Sequence, residues 1–486
     1  MSLSPTHLDE LRALLGREGV LDSKAARFTY EADALVLEKH MPDVVLLPRS
    51  TDEVAAIVRW ARGRRVPITA RGAGTGLAGG ATPERGGIVL SMNRMDRVLR
   101  VDPERMFAWV QPGLVNLWLS QQMAPHGLYY APDPASQQVS TVGGNVATNA
   151  GGPHCLKYGV TLNHVLGMVA VLDDGSAVTL GGEAPDAPDF DLATVVTGSE
   201  GTLAMVTEIC VRLLPRPEAV KTILFDFTTV EASCRAVSAV IAAGIVPAAM
   251  EIMDRQTVEL VEQWLHLGLP LDAAAVLLIE VDGPAISLEP QVGKIVALAT
   301  ANGARSTRIA RDEAERAAIW KGRKSAFGAY GRTASGFYIM DGVVPRTRLA
   351  EALSGVYRLC EERGLKAGNV FHAGDGNLHP HVLFDADDPA QQQAALDVSH
   401  QILRMCIRMG GTISGEHGVG IEKRPMMAEL FAPADLAVME RLRGAFDPQR
   451  SFNPGKILPG DGDAPVSGPA QMGGMHVREG GEGPWI

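Results

Sequence analysis

Between a short apolar strand and a run of helix-breaking residues the chain reads RGAGTGLAGG (residues 71–80), and this junction limits the folds open to it. Gly74, Gly76 and Gly79 stand in GxGxxG register, which out of context is a dinucleotide fingerprint. Such a loop must open directly into a helix whose N-terminus faces a pyrophosphate. Here it runs into GGATPERGG, so a doubly wound dinucleotide fold does not fit. What survives is the local physics: backbone free of side chains lets several N–H groups converge on an anion. The chain enters the loop from a strand, helix, strand unit. PDVVLLP (42–48) is a short strand bounded by prolines, Ser50 and Glu53 form a capping box ahead of the helical pattern VAAIVRWAR, and VPITA (66–70) is the second strand.

Two further glycine clusters, GGNVATNAGG (143–152) and TGSEGT (197–202), flank strands of the same predicted domain, so that three loops line one groove. Between them APDPAS (131–136) carries two prolines that fix an extended backbone able to run beside a flat ring. A cofactor with a long pyrophosphate-linked body is the natural occupant. VLGMVAVLDDGSAVTLGG (165–182) alternates like a hairpin around an Asp-Gly turn, and the first domain closes near residue 215. From residue 222 strands and helices alternate again, which suits an α/β or ferredoxin-like antiparallel sheet. The fold class is α+β. Its expected divisions are a peripheral helical segment (1–40), a first domain (41–217), a second domain (218–430), a C-terminal segment (431–459) and a flexible, Gly- and Pro-rich tail (460–486).

Composition removes several function classes. With 486 residues the chain is long enough for at least two cores. Its 45 basic and 56 acidic residues give a net charge of -11, which argues against a nucleic-acid partner. The five cysteines are scattered and form no CxxC pair, which excludes a disulfide framework and a self-contained cysteine-held cluster. The N-terminus is polar and then amphipathic, and no apolar run approaches the roughly 18–20 residues that span a bilayer, so the expected location is cytoplasmic.

The densest chemistry lies in HAGDGNLHPH (372–381). GNVFH reads as a strand ending at His372, Asp375-Gly376 as a hairpin turn, and LHPHVLF as a returning strand with Pro380 at an edge or bulge. His372 and His379 then face each other across the ladder. GTISGEHGVGIEK adds Glu416 beside His417 in a glycine-flanked turn, a short, exposed and adjustable presentation. Two imidazoles and one carboxylate make the open three-ligand set that suits Zn or another borderline divalent ion. His381 competes with His379, because residues two apart on a strand share a face; its expected role is supporting or structural.

The ordered motifs PRSTDEV, RGAGTGLAGGA, APDPAS, TVGGNVATNAGG, TGSEGTLAMVTE, HAGDGNLHP, GEHGVG and FNPGKIL resemble those of the FAD-linked 2-hydroxy-acid dehydrogenases of the vanillyl-alcohol-oxidase type, over about residues 42–459. That family includes glycolate oxidase flavin subunits, D-lactate dehydrogenases and D-2-hydroxyglutarate dehydrogenases. The resemblance implies an FAD-binding domain of two α+β subdomains and a cap domain over the flavin ring. It places FAD on Arg71, Gly72, Ala73, Gly74, Thr75, Gly76 and Gly79, on Pro132, Asp133 and Ser136, and on Thr141, Gly143, Gly144, Asn145, Thr148, Asn149 and Gly151. Gly198, Glu200, Gly201 and Thr202 follow, with Asn453 and Lys456 returning to the ring from the C-terminal segment. The first glycine loop has no histidine, so the FAD is bound without a covalent link. Ala73, where many relatives carry glycine, fits if its φ is negative.

By the same resemblance His372, His379 and Glu416 ligate a divalent metal, Zn first with Mn, Fe or Co as alternatives, and His417 is the base. Arg323 in IWKGRKSAF is the cation for the substrate carboxylate, whereas Lys321 and Lys324 look like ordinary surface charges. The expected reaction is oxidation of a small 2-hydroxy acid to the 2-oxo acid, with hydride passing to the flavin. Relatives acting on 2-hydroxyglutarate place a lysine near FYIMDG (337–342); Tyr338, Ile339 and Met340 stand there, which favours glycolate or D-lactate unless Arg332 supplies the cation. D-2-hydroxyglutarate oxidation and a non-catalytic flavin subunit are the rival readings. No cysteine set holds a cluster, so electrons pass to a quinone or to an iron–sulfur or cytochrome partner. Peripheral membrane association, a homodimer and a hetero-complex are all compatible with this.

Overall fold

The computed structural model describes residues 3–185 and 190–460. The strand Val44–Leu46 is buried throughout and runs parallel to Ile88–Ser91, which in turn runs parallel to Ile68–Arg71; Val20–Leu21 adds an antiparallel edge. Between the first two parallel strands in the chain the helix Thr51–Arg64 crosses over and buries Val54, Ile57, Val58 and Ala61 against the sheet. Val54, Ile57 and Val58 each contribute about 1.5–3 kcal/mol when fully buried. Ser50 Oγ accepts from the Glu53 N–H (3.2 Å), while the Glu53 carboxylate accepts from the Arg49 N–H (2.6 Å), one residue earlier than a capping box requires. Ile68–Arg71 ends on the glycine loop, so the loop emerges from the carboxyl end of parallel strands, where open α/β sheets bind ligands.

The first forty residues are not simply helical and peripheral. Leu11 and Val20 are buried in the first core, Val20–Leu21 joins its sheet, and Leu35 packs into the core of the second domain. A two-residue strand is too short to show a period in sequence. The second subdomain is a five-stranded antiparallel sheet in the order Val98–Asp102, Phe107–Val110, Met205–Arg212, Val165–Val171, Ala177–Gly181. Its last pair is the predicted hairpin, with Gly175 at φ +78° in the turn. The glycine-rich stretch after APDPAS is not all loop. Val142–Thr148 forms a helix capped by Thr141, and close packing outweighs the poor helix propensity of its glycines, since a Cβ on Gly143 would lie 2.4 Å from Pro112 Cβ.

The cap begins with Ala219–Phe227, Val230–Ala242, Ala249–Asp254, Ala275–Gly283, Ala285–Ala301 and Ala304–Ile309. The strands lie antiparallel in the order fourth, first, third, second, the ferredoxin-like arrangement. Lys366–His372 extends this sheet beyond Ala249–Asp254, pairing Glu251 with His372. Helices cover both faces. Val230–Ala242, Ala285–Ala301, Leu349–Glu361 and Pro389–Arg408 pack on one, Arg255–Leu265 and Glu313–Tyr330 on the other. After the helix Pro433–Phe446 the chain returns to the first sheet, where Phe452 bridges to Ile68 and is buried. The tail read over residues 460–486 lies outside the described residues except for Gly460. No helix among the described residues is long and apolar enough to cross a membrane.

Candidate active site

A cavity of about 690 Å³ lies between the three glycine-rich segments and the cap helix Glu313–Tyr330. Arg71, Gly72, Ala73, Gly74, Thr75, Gly76, Ser136, Thr141, Gly143, Gly144, Asn145, Thr148, Glu200 and Gly201 line it, and Glu416 and His417 reach it from the cap. The first loop needs its glycines. A Cβ on Gly72 would lie 2.3 Å from Thr141 Oγ1; Gly74 has φ +73°, and a Cβ there would lie 2.1 Å from an Arg71 guanidinium nitrogen. Ala73 is not among the positive-φ residues, so its methyl group is accommodated. The Arg71 guanidinium donates to Ala32 O at 2.7 Å and sits over the Tyr30 ring.

The other residues expected at the cofactor do not line this cavity; several brace its walls. Pro132 O accepts from Asn116 Nδ2 (3.0 Å), and Asp133 Oδ2 bonds His154 Nδ1 (2.7 Å). Asn149 Oδ1 accepts from the Leu162 N–H at 2.8 Å, and Thr202 Oγ1 donates to Ser199 O at 2.7 Å. Gly198 turns the chain at φ +81°, Gly79 lies under Ile421 and Leu35, and Gly151 lies against Glu416. Asn453 Nδ2 donates to Gly80 O and Glu200 O, and the fully buried Lys456 Nζ donates to Thr82 O, so both tie the C-terminal segment to the loops. Glu200 itself accepts from the Val419 and Gly420 N–H groups at 2.6 and 2.8 Å, locking the third glycine segment to the turn that carries Glu416.

At the cap end, Glu416 Oε1 lies 3.3 Å from His372 Nε2 and 3.1 Å from His379 Nε2. The two rings meet edge to face at 5.0 Å. They are not direct ladder partners: His372 pairs with Asn377, and His379 follows in the break between Asn377–Leu378 and Pro380–Phe384, diagonal on the same face. His372 Nδ1 bonds Glu251 Oε1 at 2.7 Å, and His379 Nδ1 bonds Met340 O at 3.2 Å. With Nδ1–H donating in each, both Nε2 lone pairs converge on one carboxylate oxygen, and His379 Nε2 is buried without a hydrogen bond. Three acceptors facing one another need a proton or a cation between them. Burial opposes charge on His372, but Glu251 and Glu416 hold its pKa well above the ordinary value; burial likewise opposes charge on Glu416, whose pKa the two histidines pull well down. A divalent ion would replace those protons, so the donor set fits a metal.

The turn holding Glu416 and His417 is neither exposed nor adjustable: their side chains are 11% and 13% exposed. Asp341, wholly buried, accepts from the backbone N–H groups of Gly415 (3.1 Å), Glu416 (3.2 Å) and His417 (2.8 Å) and from Ser414 Oγ (2.7 Å). Its charge is met by the equally buried Lys423 at 3.0 Å. The His417 ring stacks on His379 at 5.1 Å, its Nε2 is 3.8 Å from Glu416 Oε1, and burial lowers its pKa to about 4 against the pull of Asp341, leaving a neutral imidazole at neutral pH. His381 stacks on Tyr330 at 4.3 Å, bonds His379 O at 2.8 Å, and is pushed by burial to a pKa of about 3.

Arg323, expected at the substrate carboxylate, meets a carboxylate of the chain itself. It does not line the cavity, and its Nε and Nη2 both lie 2.6 Å from Glu251 Oε2, so its fork holds the carboxylate that orients His372. Lys324 is exposed, as its reading as a surface charge expects, and it also borders the cavity, as do Trp264 and Phe327. Asp341, Glu251 and Lys423 are site residues that motif reading passed over. The signal available for two of them was a lone carboxylate inside an apolar strand run, in AAMEIM and FYIMDG. Tyr338, Ile339 and Met340 are buried in the cap, and Arg332 lies over Trp264.

Two family descriptions match the chain: "FAD binding domain" over residues 42–181, and "FAD linked oxidases, C-terminal domain" over residues 216–457. The chain is 44% identical to the glycolate oxidase subunit GlcD of Escherichia coli, across 93% of this chain and 89% of that one. It is 32% identical to a D-lactate dehydrogenase of Anaerostipes hadrus, across 88% and 92% respectively. Among solved structures, p-cresol methylhydroxylase with substrate bound superimposes with a TM-score of 0.80 at 17% identity, covering 93% of this chain and 96% of that one, which shows a shared fold.

Proposed function

Because the chain belongs to the FAD-linked oxidases, we propose that it oxidises a small 2-hydroxy acid, glycolate or D-lactate, to the 2-oxo acid and passes the electrons to an external acceptor. The observation that carries the reading is the convergence of His372, His379 and Glu416 on one point, with His417 stacked beside them, at the end of a cavity built on glycine loops. The loops from Arg71 to Gly76, Thr141 to Thr148 and Glu200 to Gly201 would hold FAD without a covalent link, which would supply a hydride acceptor, and His372, His379 and Glu416 would hold a divalent ion, which would supply Lewis acidity toward the substrate hydroxyl. Zn suits this donor set best, and Mn, Fe or Co are accepted by the same ligands.

This chain's own residues do the rest. His417, neutral at working pH, takes the hydroxyl proton on Nε2. Asp341 and Lys423 fix the turn so that His417 and Glu416 do not swing. Glu251, itself gripped by Arg323, holds His372 in the tautomer that leaves Nε2 free as a ligand. The name of the Escherichia coli relative, a glycolate oxidase subunit, supports glycolate as substrate and assembly with a partner chain. The absence of a cation at Tyr338, Ile339 and Met340 argues against a dicarboxylate. Steady-state assays with a dye acceptor compare the substrates directly: glycolate or D-lactate should give the highest kcat/KM, and strong preference for D-2-hydroxyglutarate would overturn the substrate assignment.

A further inference from the structure

The segment 31–40 crosses from the first glycine loop to the cap, and its ends are tied together, since the His40 N–H donates to Glu31 O at 2.8 Å. It is a compact loop with a closed base, a form that can move as one piece. Its inner edge follows the glycine loop from end to end. The Arg71 guanidinium donates to Ala32 O at 2.7 Å, and the Ala34 N–H donates to Gly76 O at 2.9 Å. Asp33, 6% exposed, accepts from the N–H groups of Leu35 (2.9 Å) and Ala81 (3.3 Å), while its own N–H donates to Thr82 Oγ1 (3.4 Å). Leu35, 7% exposed, packs among buried residues of the cap and also against the loop, where a Cβ on Gly79 would lie 3.3 Å from its Cδ2. Both Asp33 and Ala34 line the cavity, whereas Val36 and Leu37 are exposed.

We propose that residues 31–40 are a strap along the cofactor cavity, latched by Asp33, and that FAD enters and leaves when this latch is open. The proposal rests on the FAD-binding part of the function given above and on no particular substrate. Asp33 spends both carboxylate oxygens on the chain's own N–H groups, so it acts through the strap and is a positioning residue. Each hydrogen bond to a carboxylate favours the closed arrangement about 10- to 100-fold. The strap spans from Arg71 of the first domain to the cap core at Leu35, so it joins the two walls on that side of the cavity. Losing the latch raises the open population with and without cofactor, so association and release quicken together and Kd moves less than either rate. A residue that merely touched FAD would quicken release alone.

The test is stopped-flow flavin fluorescence with no hydroxy acid present, following FAD association with the apoprotein and its release from the holoprotein on dilution. Wild type is compared with Asp33→Ala, Asp33→Asn and Leu35→Ala. In Asp33→Ala both rates should rise about 10- to 100-fold, with Kd changed by less than either rate and Asp33→Asn, which keeps one acceptor oxygen, in between. Leu35→Ala frees the cap end of the strap and should show the same paired rise, so it decides the matter where Asp33→Ala does not fold. Release that quickens with association unchanged overturns the gate, and rates unchanged in both Asp33→Ala and Leu35→Ala overturn the strap, each leaving the flavoprotein reading in place. Wild type that binds no FAD overturns that reading and this inference together.

Discussion

Glu416 Oε1 faces two imidazole nitrogens within 3.3 Å, and the choice between a proton and a metal there is made by groups one bond further out. Glu251 is the most consequential of them, because it orients His372 and is itself wholly enclosed, with Arg323 as counter-charge. Glu251→Gln keeps the shape but weakens the acceptor for His372 Nδ1–H and leaves Arg323 without its anion. Metal affinity should fall about 10- to 100-fold, measured by competition with a chelator; an unchanged affinity would show that Glu251 does not orient the ligand. The histidine motif could be read from sequence because its three histidines and glycine turn are contiguous. Glu251 could not, since it arrives 121 residues earlier in the chain, through strand pairing alone.

At the scale of elements, the turn from Ser414 to Val419 is held by hydrogen bonds to two carboxylates from elsewhere in the chain, Asp341 and Glu200. Gly420 continues it at φ +55°, where a Cβ would come within 1.8 Å of Ala78 O. Asp341→Asn removes the charge opposite Lys423, which is enclosed on all sides, and should destabilise the protein by about 3–5 kcal/mol, as breaking a buried ion pair does. Urea unfolding checks this; a loss below about 1 kcal/mol, the worth of an exposed pair, would mean that Lys423 finds other solvation. The strand, helix, strand unit before the first glycine loop and the hairpin of residues 165–182 were legible because apolar period and turn residues agree. The helix Val142–Thr148 was not, because two glycines near its start hide it, and only tertiary fit, Gly143 against Pro112 and Gly144 against the capping Thr141, accounts for them. The turn at Glu416 looked loose in sequence for a related reason: its glycines permit close packing rather than motion.

Across the whole molecule, the cap is fastened to the first domain by a charged latch. His154 bonds Asp133 on one side and Glu280 of the cap on the other, at 2.7 and 3.1 Å. Glu280 also receives Arg316 at 3.0 Å and Trp320 Nε1 at 2.6 Å. Burial opposes charge on both, yet His154 is raised to about 10 by Asp133 and Glu280, and Glu280 is lowered to about 2. A raised histidine contributes stability that is full below its unfolded pKa of about 6.5 and fades as pH rises toward about 10. A depressed glutamate contributes above its unfolded pKa of about 4.3 and loses this as pH falls toward about 2. The latch should therefore be strongest between about pH 4.5 and 6.5. Thermal unfolding of wild type and His154→Ala should differ most in that window and converge toward pH 10, whereas a constant difference would assign His154 a packing role alone. The two-domain α+β architecture was foreseeable from eight ordered motifs, but how the domains meet was not, because His154 and Glu280 belong to no motif and lie 126 residues apart.

The most direct test of the central claim, that the cavity and the histidine site act together on a hydroxy acid, is anaerobic mixing of the FAD- and metal-loaded protein with glycolate or D-lactate while the flavin's visible absorbance is followed. Wild type should bleach, and His379→Ala, with FAD still bound, should not. Bound flavin that no hydroxy acid bleaches, or bleaching undiminished in His379→Ala, would contradict it.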